Sequence, residues 1–210
     1  MKSTRRGCSG LSSILLRQRS TCRLDIGSHQ LSMQFLQLSP LSGGSVGVTL
    51  LAIDGPAGAG KTTLAAKLHA EYLVDATVRT IHMDELYNGW EDALGQSLTD
   101  TLHAITSAHL AGLTYSIKIF DWYLMKFARE EVIKPTDFLI LEGVGAAQKV
   151  VRDVGAITYW LDIDNETGLQ RVLARDGVQI EKEMRQWQIQ QAIHFAKDQT
   201  RENCEFKLTS

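Results

Sequence analysis

A nearly continuous apolar run that leads into a glycine-rich turn constrains this chain more than any other feature. Residues 46–54 read VGVTLLAID and are β-prone throughout, the pattern of a strand buried on both faces of a sheet. Gly55-Pro56-Ala57-Gly58-Ala59-Gly60-Lys61-Thr62 follows at once. Leu64, Leu68 and Tyr72 then recur every four residues, which predicts a helix over 60–73 with one apolar face. The octapeptide fits G-x-x-x-x-G-K-[ST] in full, and strand, turn and helix stand in the order the motif needs. Its glycines let the backbone curl so that successive N–H groups point at phosphate oxygens. The helix N-terminus adds the positive end of its dipole. Lys61 reaches the β- and γ-phosphates as a point charge, and the Thr62 hydroxyl suits Mg²⁺. A nucleoside triphosphate is the expected ligand; the motif leaves open what receives a phosphoryl group.

Beyond the octapeptide the chain alternates strand and helix. Strands are predicted at 79–83, 113–120, 138–142 (FLILE), 156–163 (AITYWLDI) and 206–209. Helices are predicted at 91–110, 122–132, 166–174 and 181–200. This alternation implies an α/β fold: a five-stranded parallel sheet with helices on both faces.

The charge is unevenly spread. Of the 210 residues, the first 45 carry six Lys/Arg against one acid, Asp25, and ten Ser, a local charge of +5. The remainder is −7. An Arg-rich, Ser-rich, acid-poor opening reads as a transit segment, a tail without a role, or a start placed too early. Residues 46–210 form the predicted folded domain. Its acidity and the lack of a basic aromatic stripe argue against nucleic acid as a partner. No run of about 18 apolar residues predicts a membrane span, so a cytoplasmic location is expected, or an organelle if the opening directs import. Cys8, Cys22 and Cys204 are too few and scattered for a disulfide framework or a zinc site.

Two acids sit at predicted strand ends. Asp84 follows His82-Met83, and Glu142 follows Leu139-Ile140-Leu141. Residues past the carboxyl ends of parallel strands line the ligand crevice of an open sheet. Asp84 there is placed to orient or accept the proton of an attacking hydroxyl, and Glu142 to hold Mg²⁺ through a water.

The combination resembles the uridine kinase-like branch of the P-loop nucleoside and nucleotide kinases. The resemblance runs from about residue 48 to the C-terminus. It rests on IDGPAGAGKTTLA (53–65), HMDELYNGW (82–90), Phe120-Asp121-Trp122, Leu141-Glu142-Gly143 and RVLARDG (171–177). It implies the P-loop NTPase three-layer sandwich and a phosphotransferase acting on an alcohol group, with ATP and Mg²⁺. Position by position, it implies that Gly55, Pro56, Ala57, Gly58, Ala59, Gly60, Lys61, Thr62 and Thr63 bind the nucleotide. Asp84 would deprotonate the acceptor; Tyr87, Trp90, Asp121 and Trp122 would line the acceptor pocket. Arg171 and Arg175 would be lid arginines approaching the phosphoryl group, and a short lid is expected around 176–186. Thr62 and Glu142 would hold the metal. Two departures stand out: the lid is small and acidic, and Gln190-Gln191 replaces an expected acid in the closing helix. A pyrimidine nucleoside 5′-OH is the foremost acceptor. Another small acceptor (a sugar acid, a vitamin precursor, a nucleoside monophosphate) and an ATP-binding regulatory protein without transfer remain alternatives. Glu85, Glu91 and Asp92 weigh against an anionic acceptor. The oligomeric state is not readable.

Overall fold

A computed structural model describes residues 48–72 and 76–209, so the readings made for residues 1–45 lie outside the described residues. In chain order the elements are β1 (Thr49–Asp54), α1 (Lys61–Tyr72), β2 (Val78–His82), a 3₁₀ turn (Met83–Glu85), α2 (Gln96–Leu110), β3 (Tyr115–Asp121) and β4 (Lys126–Ile133). Then come β5 (Phe138–Glu142), α3 (Lys149–Arg152), β6 (Ile157–Asp162), α4 (Asn165–Asp176), a 3₁₀ turn (Val178–Ile180), α5 (Glu181–Asp198), α6 (Thr200–Asn203) and β7 (Phe206–Thr209). Five strands form a wholly parallel sheet in the order β2-β5-β1-β6-β7, as the alternation predicted.

Alternating side chains along the strands feed two cores. Leu51 and Ile53 of β1, Ile140 of β5 and Leu161 of β6 face Leu64 and Leu68 of α1. Leu50, Ala52, Leu139, Leu141 and Trp160 face the other way, toward Leu98, Leu102 and Ile105 of α2 and Trp187 of α5. Each fully buried Leu or Ile is worth about 1.5–3 kcal/mol relative to exposure. The sheet is therefore a sandwiched layer, and its carboxyl-end rim is the one place where loops can carry chemistry. Among the described residues no helix is long and apolar enough to cross a membrane.

The helix expected over 122–132 is a strand. β4 pairs antiparallel with β3 in a two-stranded ribbon outside the main sheet. Asp121 explains the reversal: its Oδ1 accepts the N–H groups of Tyr123 at 2.8 Å and Leu124 at 2.9 Å, which nucleates a turn. Met125 completes it with a left-handed φ of 51°. The helix expected from 91 begins at Gln96, with Gly95 as its N-cap. The closing helix breaks at Gln199, φ 51°, before α6. The stretch expected as a lid is a turn at Gly177, a 3₁₀ turn and the first turns of α5.

Candidate active site

β1 delivers the chain to the sheet rim, and the glycine loop turns there because nothing larger fits. Gly55 and Gly58 hold φ of +135° and +82°. A methyl group on Gly55 would stand 2.3 Å from the Leu161 carbonyl oxygen, and one on Gly58 2.3 Å from that of Gly168. The loop is thus wedged between β6 and α4. Asp54, wholly buried, ties it to the β5–α3 loop: its carboxylate accepts N–H groups from Gly55 (2.7 Å), Gly145 (3.0 Å) and Ala147 (2.8 Å). From the far side, Gln191 of α5, 2% exposed, accepts the Ala57 N–H at 3.1 Å. The sequence reading assigned neither Asp54 nor Gln191 to the site. A polar residue ending an apolar strand was the one signal for Asp54.

Lys61 lies across the loop. Its ammonium donates to the carbonyls of Gly55 (2.7 Å) and Pro56 (2.8 Å), which leaves one of its three N–H groups for a phosphate. Burial pushes its pKa down to about 8, against the pull of Glu142 and Asp54. The Thr62 hydroxyl donates to Glu142, at 3.1 Å from Oε1 and 3.3 Å from Oε2. The two residues read from sequence as metal-holding are therefore neighbours across 80 residues of chain. His82, unforeseen, bonds the same carboxylate through Nδ1. That bond raises the His82 pKa, against the burial that would lower it.

Asp84 sits in the 3₁₀ turn that closes β2, half-buried. Burial first, and then the charge of Glu142, raises its pKa to about 7, with His82 opposing. An aromatic cluster begins beside it. The Trp122 indole N–H donates to the Asp84 carbonyl at 2.9 Å. Trp90 packs on Trp122 (5.1 Å between centroids) and edge-on to Trp187 (5.9 Å), and Phe120 lies edge-on to Trp122 (5.0 Å). Tyr87 is buried, and its hydroxyl donates to the Val144 carbonyl at 2.8 Å. Trp187 joins this group from α5, and Asp121 gives its Oδ1 to the hairpin turn.

Two solved structures share this arrangement of elements. One is described as a possible uridine kinase from Bacillus stearothermophilus, with a TM-score of 0.60 and 18% identity over 86% of this chain and 98% of that one. The other is described as a candidate fructose transport system kinase from Silicibacter sp. TM1040, with a TM-score of 0.62 and 16% identity over 86% and 97%. The chain shares their α/β fold, with the glycine loop following the central strand of a parallel sheet. No protein-family model and no curated protein matches the chain.

Within this fold the expected lid arginines part company. Arg171 reaches the loop, with Nη1 at 3.4 Å from the Gly58 carbonyl. Arg175 is forked onto its neighbour Asp176 at 2.9 and 2.6 Å, though its charge is close enough to depress Lys61. Arg185 is paired with Glu181 and Glu166. Among the described residues no cluster of three or more His, Cys, Asp or Glu could hold a metal by itself. A hydroxyl and a carboxylate are hard oxygen donors that fit Mg²⁺ when triphosphate oxygens and waters supply the rest of its shell.

Proposed function

We propose that the protein is an ATP-dependent kinase that transfers the γ-phosphoryl group to a hydroxyl of a small uncharged acceptor, with the 5′-OH of a pyrimidine nucleoside as the acceptor of first choice. The observation that carries the reading is Asp84. It is a carboxylate with its pKa raised to about 7, at the carboxyl end of β2, with the Trp122 indole on its backbone carbonyl and Trp90 packed on Trp122. A base works best when its pKa lies near the working pH. In the reaction, Asp84 takes the proton of the acceptor hydroxyl as that oxygen bonds to the γ-phosphorus. The bond from the γ-phosphorus to the bridging oxygen breaks, and ADP leaves. Lys61 and the loop N–H groups would hold the β- and γ-phosphate charge, and Arg171, which reaches the loop at Gly58, would meet the charge that spreads during transfer. Thr62 and Glu142 would hold Mg²⁺, which neutralises phosphate charge when bound.

The acceptor side also supports an uncharged substrate. The arginines beside it are paired: Arg129 with Glu131 and Glu85, and Arg79 with Glu131. The likeness to a candidate fructose transport system kinase favours a sugar hydroxyl as the second reading.

The test is ADP release from Mg·ATP across uridine, cytidine, other nucleosides, nucleoside monophosphates, sugars such as fructose, and sugar acids. Stimulation by uridine or cytidine is the expected result. Stimulation by a sugar alone replaces the nucleoside reading, and ATP binding without stimulation by any acceptor overturns transfer.

A further inference from the structure

The bond between His82 and Glu142 has no part in the reaction as written above. His82 ends β2 and Glu142 ends β5, and the parallel register sets them side by side. A carboxylate only accepts, so Nδ1 carries the hydrogen and donates to Oε1. The Thr62 hydroxyl donates to the same group from the loop side, near both oxygens. One carboxylate, 4% exposed, is therefore gripped by donors from two different elements. His82 itself is 37% exposed, and backbone hydrogen bonds already hold β2 to β5. The His82 side chain thus does little for packing, while it removes rotational freedom from a buried carboxylate at the mouth of the loop.

We propose that His82 is a positioning residue for the cation. It holds the Glu142 carboxylate in the orientation in which that group and the Thr62 hydroxyl serve one Mg²⁺. The inference rests on the kinase reading of this site. Donors that orient a ligating carboxylate are worth about 10–100-fold in metal affinity or activity.

The test measures how binding of a non-hydrolysable ATP analogue depends on Mg²⁺, by tryptophan fluorescence, with Mn²⁺ binding to the complex followed by electron paramagnetic resonance. His82→Ala should require about 10–100-fold more Mg²⁺ for the same binding. His82→Asn, whose amide nitrogen can stand where Nδ1 stands, should restore most of the loss. In a Glu142→Ala background, which leaves no acceptor for Nδ1, His82→Ala should add nothing, because coupled residues fail to add. Unchanged Mg²⁺ dependence in His82→Ala, with or without a fall in melting temperature, overturns the assignment alone. So does an equal loss in the Glu142→Ala background. A wild-type protein that binds no ATP analogue at any Mg²⁺ concentration overturns the kinase reading, and the assignment with it.

Discussion

At the scale of single residues, Asp84 makes the sharpest claim. Its pKa is raised from 3.8 to about 7 in the folded protein. The folded state therefore binds this proton more tightly than the unfolded chain does. Stability from that preference is complete below pH 3.8 and is lost as pH rises through 7. Asp84→Asn removes the dependence. Between pH 5 and pH 8 the metal-free variant should gain about 2–3 kcal/mol on wild type, roughly 5–10 °C in melting temperature, readable by scanning calorimetry. Turnover should move the other way. Wild-type rates should fall on the acid side of pH 7, whereas Asp84→Asn should be slower by about 10²–10³-fold and lack that limb. Equal pH profiles for the two proteins would remove Asp84 from the chemistry. The residues that sequence reasoning placed together, Lys61, Thr62, Asp84 and Glu142, share a simple logic of motif and strand ends. Asp54, His82 and Gln191 escaped it because each acts on a partner far away in the chain. Asp54 grips an amide 91 residues on, and Gln191 one 134 residues back. No local pattern announces such pairings.

At the scale of elements, the β3–β4 ribbon shows where local propensity loses. Lys126, Ala128, Arg129, Glu130 and Glu131 are good helix formers in isolation. Pairing with β3, including Lys118 opposite Glu130, and the Asp121 turn outweigh that preference. The central strands β1, β5 and β6 were legible because a strand buried on both faces shows as a nearly continuous apolar run. The ribbon was not, because β4 is exposed along most of its length. The short helix α3 escaped notice too, although it holds an important joint. The Arg152 guanidinium donates to the Ala147 carbonyl and to the Asp198 carboxylate, and Asp198 Oδ1 accepts the Lys149 N–H at 2.9 Å. This nearly buried pair anchors the end of α5 to the loop that holds Asp54. Removing one partner strands the other charge, at a cost of about 3 kcal/mol. Arg152→Ala should therefore melt roughly 6–12 °C lower and bind ATP more weakly, in a thermal shift assay with and without nucleotide. An unchanged melting temperature would make the joint ornamental.

At the scale of the whole molecule, the site is assembled from both ends of the described chain. β1 is the central strand, yet both its neighbours, β5 and β6, come after the ribbon. Thr62 meets Glu142 across 80 residues, and the Ala57 amide meets Gln191 across 134. A chain cut after residue 180 keeps the entire octapeptide, Asp84 and Glu142 but lacks α5 and β7. It should fail to bind an ATP analogue in equilibrium dialysis, whereas the full chain binds; retained binding would show that the loop is set without α5. The Gln191–Ala57 contact also dates the site in the life of each molecule. A growing chain on the ribosome displays its phosphate motif well before the helix that braces it, whose Gln191 is made 134 residues after Ala57. At ~5–20 residues per second, the interval is on the order of ten seconds. By the same expectation, the newborn protein carries the sequence of a phosphate-binding loop for that time without its braced shape.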